Sequence, residues 1–159
     1  MYRGSMFRLY GWAALALIAL SSSAAAQAQQ KSAKELIAGT WTLLIADNLR
    51  AEDGTRVPGF GPLPNGTAKF GADGKYSVEV TPSVTGHAAL SYSGSYSLDD
   101  AGKTLTLRVD ESSLPNWRGT AQTGMIEFVN ADNLGWKTSV PFVASAEFNG
   151  AELIWARAK

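Results

Sequence analysis

An all-β fold of short antiparallel strands is what this sequence predicts, and three observations predict it. Apolar and polar residues alternate singly over long stretches. The alternation is most regular from Leu90 to Leu98, where Leu90, Tyr92, Gly94, Tyr96 and Leu98 share one face and four serines the other. Turn signals recur along the chain, with Asp53-Gly54 marking a turn and Asp73-Gly74 and Asn149-Gly150 reading as hairpin turns. One short stretch alone has a helical signature. About eight to nine short strands joined by tight turns imply a closed antiparallel barrel or a sandwich.

The N-terminus reads as an export signal. Arg3 and Arg8 stand without an acid before an apolar run, Leu9 to Leu20, and small residues follow from Ser21 to Ala28. That order is positive, apolar and small, with Ala-x-Ala at Ala24/Ala26 and Ala26/Ala28. The apolar run is about 12 residues, short of the roughly 20 that span a bilayer, so cleavage and no stable membrane insertion are expected. The division is a signal peptide over 1–28 and one domain over 29–159, in a bacterial periplasm or secreted.

Composition narrows the partners. The chain has 14 Lys and Arg against 14 Asp and Glu, and losing Arg3 and Arg8 leaves 12 against 14, a net charge of −2. With no basic run there is no footprint for nucleic acid. The chain has no cysteine. Disulfides and a lipidated N-terminal cysteine are thereby excluded, and a core of one domain must hold the fold alone.

Taken in order, Ser32-Ala33-Lys34-Glu35 has the capping-box spacing, and a helix is predicted over about Ala33 to Ala38, ended by Gly39. Thr40 to Ala46 is a buried first strand. Val57 to Gly66 holds three prolines and three glycines and is predicted to be a long loop, carrying Phe60 and Leu63. Thr67 to Gly71 and Lys75 to Thr81 form a hairpin through Asp73-Gly74, with Tyr76, Val78 and Val80 on one face. Pro82 to Ala88 is a loop. Leu90 to Leu98 and the segment bearing Leu105, Leu107 and Val109 are strands joined over Asp99 to Lys103.

Ser112 to Gln122 (SSLPNWRGTAQ) breaks the rhythm as a corner, since Pro115 donates no ladder hydrogen bond and Asn116 and Gly119 accept turn geometry. Gly124 to Val129 and Leu134 to Val140 are predicted strands. Phe142 to Phe148 and Glu152 to Arg157 are read as a last hairpin through Asn149-Gly150. Pairing of first and last strands would bring Trp41 and Trp155 together.

Four pieces in this order resemble the bacterial lipocalin-like domain family. They are Gly39-Thr40-Trp41 after a short helix, FGPLPNG at Phe60 to Gly66, YSGSY at Tyr92 to Tyr96, and PNWRGTAQ at Pro115 to Gln122. The resemblance implies a single up-and-down barrel of about eight strands with a short N-terminal helix. It implies an interior able to hold an apolar ligand, and no shared reaction. It also implies that Arg157 stacks across Trp41 at one barrel end. The chain departs from the pattern at Thr123-Gly124, where relatives often carry arginine, and at Leu107-Arg108, where they often carry histidine.

Chemistry-bearing residues are few. His87 is the single histidine, in a loop. With no cysteine and no second histidine, no metal site and no cofactor is expected. Glu79 and Asp110 alternate outward from their apolar neighbours. Tyr76, Tyr92 and Tyr96 alternate inward, either lining a pocket or filling a small barrel. The expected function is an exported barrel holding a small hydrophobic or amphipathic molecule. Its lining would be Tyr76, Val78, Tyr92, Tyr96 and Leu107, covered by Phe60, Leu63 and Trp117, with Arg118 beside the ligand's polar end. Two alternatives are an isomerase or cyclase that uses the cavity, and a packed barrel acting as an interaction module. No catalytic residue is assigned.

Overall fold

The structure is a computed structural model that describes residues 31–143 and 145–159. The predicted signal peptide lies outside them. Ser32 caps the helix α1 (Ala33–Ile37) as the spacing requires. Its side chain accepts from the Glu35 amide, and the Glu35 carboxylate takes the Ser32 amide at 2.8 Å.

Nine strands follow: β1 (Gly39–Arg50), β2 (Arg56–Pro58), β3 (Asn65–Phe70), β4 (Lys75–Thr81), β5 (Leu90–Leu98), β6 (Thr104–Ser112), β7 (Ala121–Asn130), β8 (Asn133–Thr138) and β9 (Phe148–Arg157). Each pairs antiparallel with its neighbour, and β1 pairs with β9 from Trp41↔Arg157 to Arg50↔Phe148. The sheet is therefore a closed up-and-down barrel, whose closure leaves β1 and β9 no free edge between them. Eight strands make the wall. The short β2 lies end to end with β3 on the same edge of β1, opposite Asp47–Leu49 while β3 lies opposite Gly39–Thr42.

The predicted loop over Val57 to Gly66 is thus shorter than its proline content suggested. Residues at both its ends enter the wall, and 59–64 alone bulge out. A second correction falls at the C-terminus. Phe142 to Phe148 is not a strand, and Asn149-Gly150 is not a turn but part of β9, where Gly150 pairs with Leu49 of β1. The turn signal misleads because Gly150 serves close packing: a Cβ there would come within 2.5 Å of the Thr138 carbonyl oxygen. β8 and β9 are instead joined by the loop 139–147.

Inward alternation builds the core. Leu43, Ala68, Phe70, Val78, Leu105, Leu107, Val109, Leu134, Leu153 and Trp155 are all buried in one apolar cluster that includes Trp41. Leu43 and Trp155 are register partners across the closing seam.

The two barrel ends are built differently. The turns 71–74, 99–103 and 131–132 share one end with α1. There the Trp41 indole donates to the Ile37 carbonyl at 2.8 Å. Arg157 lies over the Trp41 ring, 4.3 Å from its centroid, and donates to the carbonyls of Leu36 and Ala38. The connections 51–55, 82–89, 113–120 and 139–147 gather at the other end, the mouth.

Candidate functional site

The mouth and the interior beneath it form the candidate site. Tyr76, Val78, Tyr92, Tyr96 and Leu107 all point inward and are buried. The aromatic rings form a continuous path. Phe70 stacks on Tyr76, Tyr76 meets Tyr92 edge-on at 5.9 Å, and Tyr92 meets Trp117 edge-on at 5.3 Å between centroids. The path runs from the interior to the corner that the sequence marked.

That corner is a 3-10 turn, Pro115–Trp117, which drops the indole onto Tyr92. The Trp117 amide donates to Leu114 at 3.0 Å, and the Thr120 hydroxyl donates to the Trp117 carbonyl at 2.6 Å. Arg118 points the other way. It is exposed and paired with Glu111 on the outer surface. A 3-10 turn rotates by about 120° per residue, so Trp117 and the capping Arg118 leave the turn in different directions.

The covering side chains come from loops. Phe60 is buried and meets Phe142 edge-on at 4.9 Å between centroids, which brings the loops 59–64 and 139–147 together. The Gly59 amide donates to the Ala46 carbonyl at 2.8 Å and fixes where Phe60 turns in. Leu63 does not cover the interior. Set between Pro62 and Pro64, it is 81% exposed, and only its amide is engaged, by the Ser83 hydroxyl at 3.4 Å.

Polar groups also reach the interior, and the sequence reading missed them. Asn48, Gln122 and Thr138 are buried. Asn48 accepts the Phe142 amide at 2.8 Å, and Thr138 accepts the Val140 amide at 3.2 Å, so both steady the 139–147 loop. Trp136, 4% exposed, packs its indole nitrogen over Gly124, where a Cβ would collide with it. A signal for these was present. Gln122, Gly124 and Ile126 alternate inward, as do Leu134, Trp136 and Thr138, but beginning β7 at Gly124 cut Gln122 off.

Two buried donors have no protein acceptor among the described residues: the Tyr76 hydroxyl and the Trp136 indole nitrogen. Tyr96 differs, because its hydroxyl donates to the Gly71 carbonyl at 2.8 Å at the helix end. Burial holds the phenols of Tyr76, Tyr92 and Tyr96 above their ordinary range, with Asp110 adding to the effect at Tyr76, Tyr76 at Tyr92 and Asp73 at Tyr96. All three stay protonated at neutral pH and act as neutral hydroxyls.

No charged side chain is buried among the described residues. His87 is exposed, and Glu79 and Asp110 face outward as their alternation predicted. Among the described residues, neither His87 nor a carboxylate is buried in the barrel interior. Among the described residues no group of histidines and acids is arranged to hold a metal ion, and no helix is long and apolar enough to cross a membrane.

The outer wall carries a groove of about 650 Å³ over β7, β8 and β9. Met125, Val129 and Ile154 supply its apolar part, with Lys137 and Glu152 alongside. Glu152 is also paired with Arg56 and lies opposite Asp47, whose carboxyl burial pushes above its ordinary value.

Comparison with known proteins adds the following. Residues 83–158 match the family model described as a lipocalin-like domain. No curated protein matches the chain. A solved structure of a redesigned β-barrel is similar at a TM-score of 0.48 and 14% identity, over 80% of this chain and 96% of that one. The matched stretch spans β5 to β9 of the barrel, and the match supports a lipocalin-like domain over those residues.

Proposed function

We propose that the protein is an exported barrel that takes a small hydrophobic or amphipathic molecule into its interior through the mouth. The observation that carries this reading is the unequal closure of the two ends. The helix end is locked by Trp41, Arg157 and backbone carbonyls. The mouth is covered by Phe60, Phe142 and Trp117, all borne on connections between strands. Loop-borne apolar covers can part without breaking the ladder, whereas the plug cannot. A coarse ligand-binding role is also what a lipocalin-like barrel supports.

Tyr76, Val78, Tyr92 and Leu107 line the path in this reading, with Phe60 and Trp117 at the entrance. Tyr96 belongs to the plugged end. Export rests on the order of residues 1–28, positive, then apolar, then small. The test is tryptophan fluorescence of the mature domain titrated with fatty acids, quinones and terpenoids. Saturable quenching that Trp117→Phe alters is expected. Silence across all three classes would leave a packed interaction module as the better description.

A further inference from the structure

We propose that Arg56 is the clasp of the mouth cover: its ion pair with Glu152 holds the strap β2, and with it Phe60, against the closing seam. This inference rests on the reading above in which Phe60 covers the entrance, and it names what governs opening there.

The strap has few ties of its own. β2 is three residues long and pairs with β1 alone, whereas each wall strand has a partner on both edges. It runs directly into Phe60. Beyond the β1 ladder, the Gly59 amide donates to the Ala46 carbonyl at 2.8 Å, and the Ser83 amide donates to the Phe60 carbonyl at 2.9 Å. Gly54 and Gly61 bound the segment with φ of 73° and 87°, left-handed backbone at which a strap can turn without moving the wall. A segment held this way can open locally while the barrel stays closed.

One charged side chain crosses the seam. Arg56 reaches over β1, from β2 on one edge to Glu152 of β9 on the other. Glu152 is set into the wall, its side chain 15% exposed, with the Lys137 ammonium of β8 at 4.0 Å. Asp47 of β1 is the register partner of both Pro58 and Glu152, so it lies between the strap and that acid. Two carboxylates thus stand side by side on the wall, and the strap brings the guanidinium that offsets their repulsion. Withdrawing the strap leaves the acids together with Lys137 alone. Charge therefore favours the closed cover, and removing either partner of the pair loosens it.

The test reads opening directly, with no ligand, by amide exchange followed by NMR on residues 29–159. The Gly59 and Ser83 amides report the strap. The Gly71 amide, which donates to the Lys75 carbonyl at 2.8 Å at the helix end, is the control. Arg56→Gln and Glu152→Gln should each speed Gly59 and Ser83 exchange about twofold to fivefold and leave Gly71 unchanged. The double variant should match either single one, because both remove the same interaction. Salt raised to about 1 M should speed Gly59 exchange in the wild type and not in the double variant. Wild-type exchange at Gly59 in both single variants, factors that multiply in the double variant, or a rise shared with Gly71 overturns the clasp. Each of those outcomes leaves the interior reading intact, since the ligand titrations decide it separately.

Discussion

Arg157 and Trp41 face each other across the seam where the last strand meets the first, with the guanidinium 4.3 Å above the indole centroid. The same guanidinium donates to Leu36 and Ala38 at 2.6 and 3.1 Å, and its Nε donates to Ala131 at 3.0 Å. One side chain therefore ties the helix, the seam and the β7–β8 turn together. Arg157→Lys keeps the charge but loses the planar fork, and should cost about 2 kcal/mol. Urea unfolding measures the loss. Faster hydrogen exchange confined at first to Ala33–Ile37 would locate it.

Tyr76 and Tyr96 offer a matched pair of phenols. The Tyr96 hydroxyl bonds the Gly71 carbonyl, whereas the Tyr76 hydroxyl has no protein acceptor among the described residues. Tyr96→Phe should therefore cost about 1 kcal/mol. Tyr76→Phe removes an unpaired buried group and should be neutral or slightly stabilising in the unliganded protein. Parallel thermal melts check the sign of the difference.

Gly124 lies beneath the Trp136 indole, where an added Cβ would also come within 2.7 Å of the Lys137 carbonyl oxygen. Because one of those atoms is backbone, the strain cannot be relieved by a side-chain rotation alone. Gly124→Ala should destabilise by about 1–3 kcal/mol through overpacking. A shift in tryptophan emission should accompany the drop in melting temperature.

Trp117 is buried at the mouth against Tyr92, so its truncation removes both packing area and an aromatic contact. Trp117→Ala should cost about 3 kcal/mol or more, and Trp117→Phe about 1 kcal/mol with the fold kept. Chemical denaturation of the two variants measures the ratio.

The wall of the barrel was legible because its cause is local. Alternation at Leu90–Leu98 and Lys75–Thr81 placed both strands exactly and put Tyr76, Tyr92 and Tyr96 inward. The Asn149-Gly150 error arose because the dipeptide's use depends on a distant carbonyl, that of Thr138, which local sequence does not reveal. The same limit hid the site's polar side. Asn48 becomes an interior group because the Phe142 amide, far along the chain, comes to its carboxamide. Leu63 and Arg118 were placed by hydrophobicity and by neighbourhood to Trp117. The orientation of each was decided by flanking prolines in one case and by the rotation of a 3-10 turn in the other.

Asp99 shows how acid should loosen the helix end. Its carboxylate accepts the Lys103 amide at 2.7 Å and the Thr104 amide at 2.9 Å, closing the β5–β6 turn on which Ala33 of the helix rests at Gly102. The Thr104 and Lys103 backbone bonds hold the Asp99 carboxyl below its ordinary value of 3.8. A lowered folded-state value means the unfolded chain binds the proton first as pH falls. The stabilisation is thus fully present above that ordinary value and is lost as pH drops through the lower folded one. Asp53 and Glu35 are lowered by similar local bonds and act in the same direction. Melting temperature should therefore fall as pH is taken from 5 towards 2. Asp99→Asn keeps an accepting oxygen without the titrating charge, so it should flatten part of that slope while lowering stability at pH 7. An unchanged slope in Asp99→Asn would assign the acid sensitivity to the other two carboxylates.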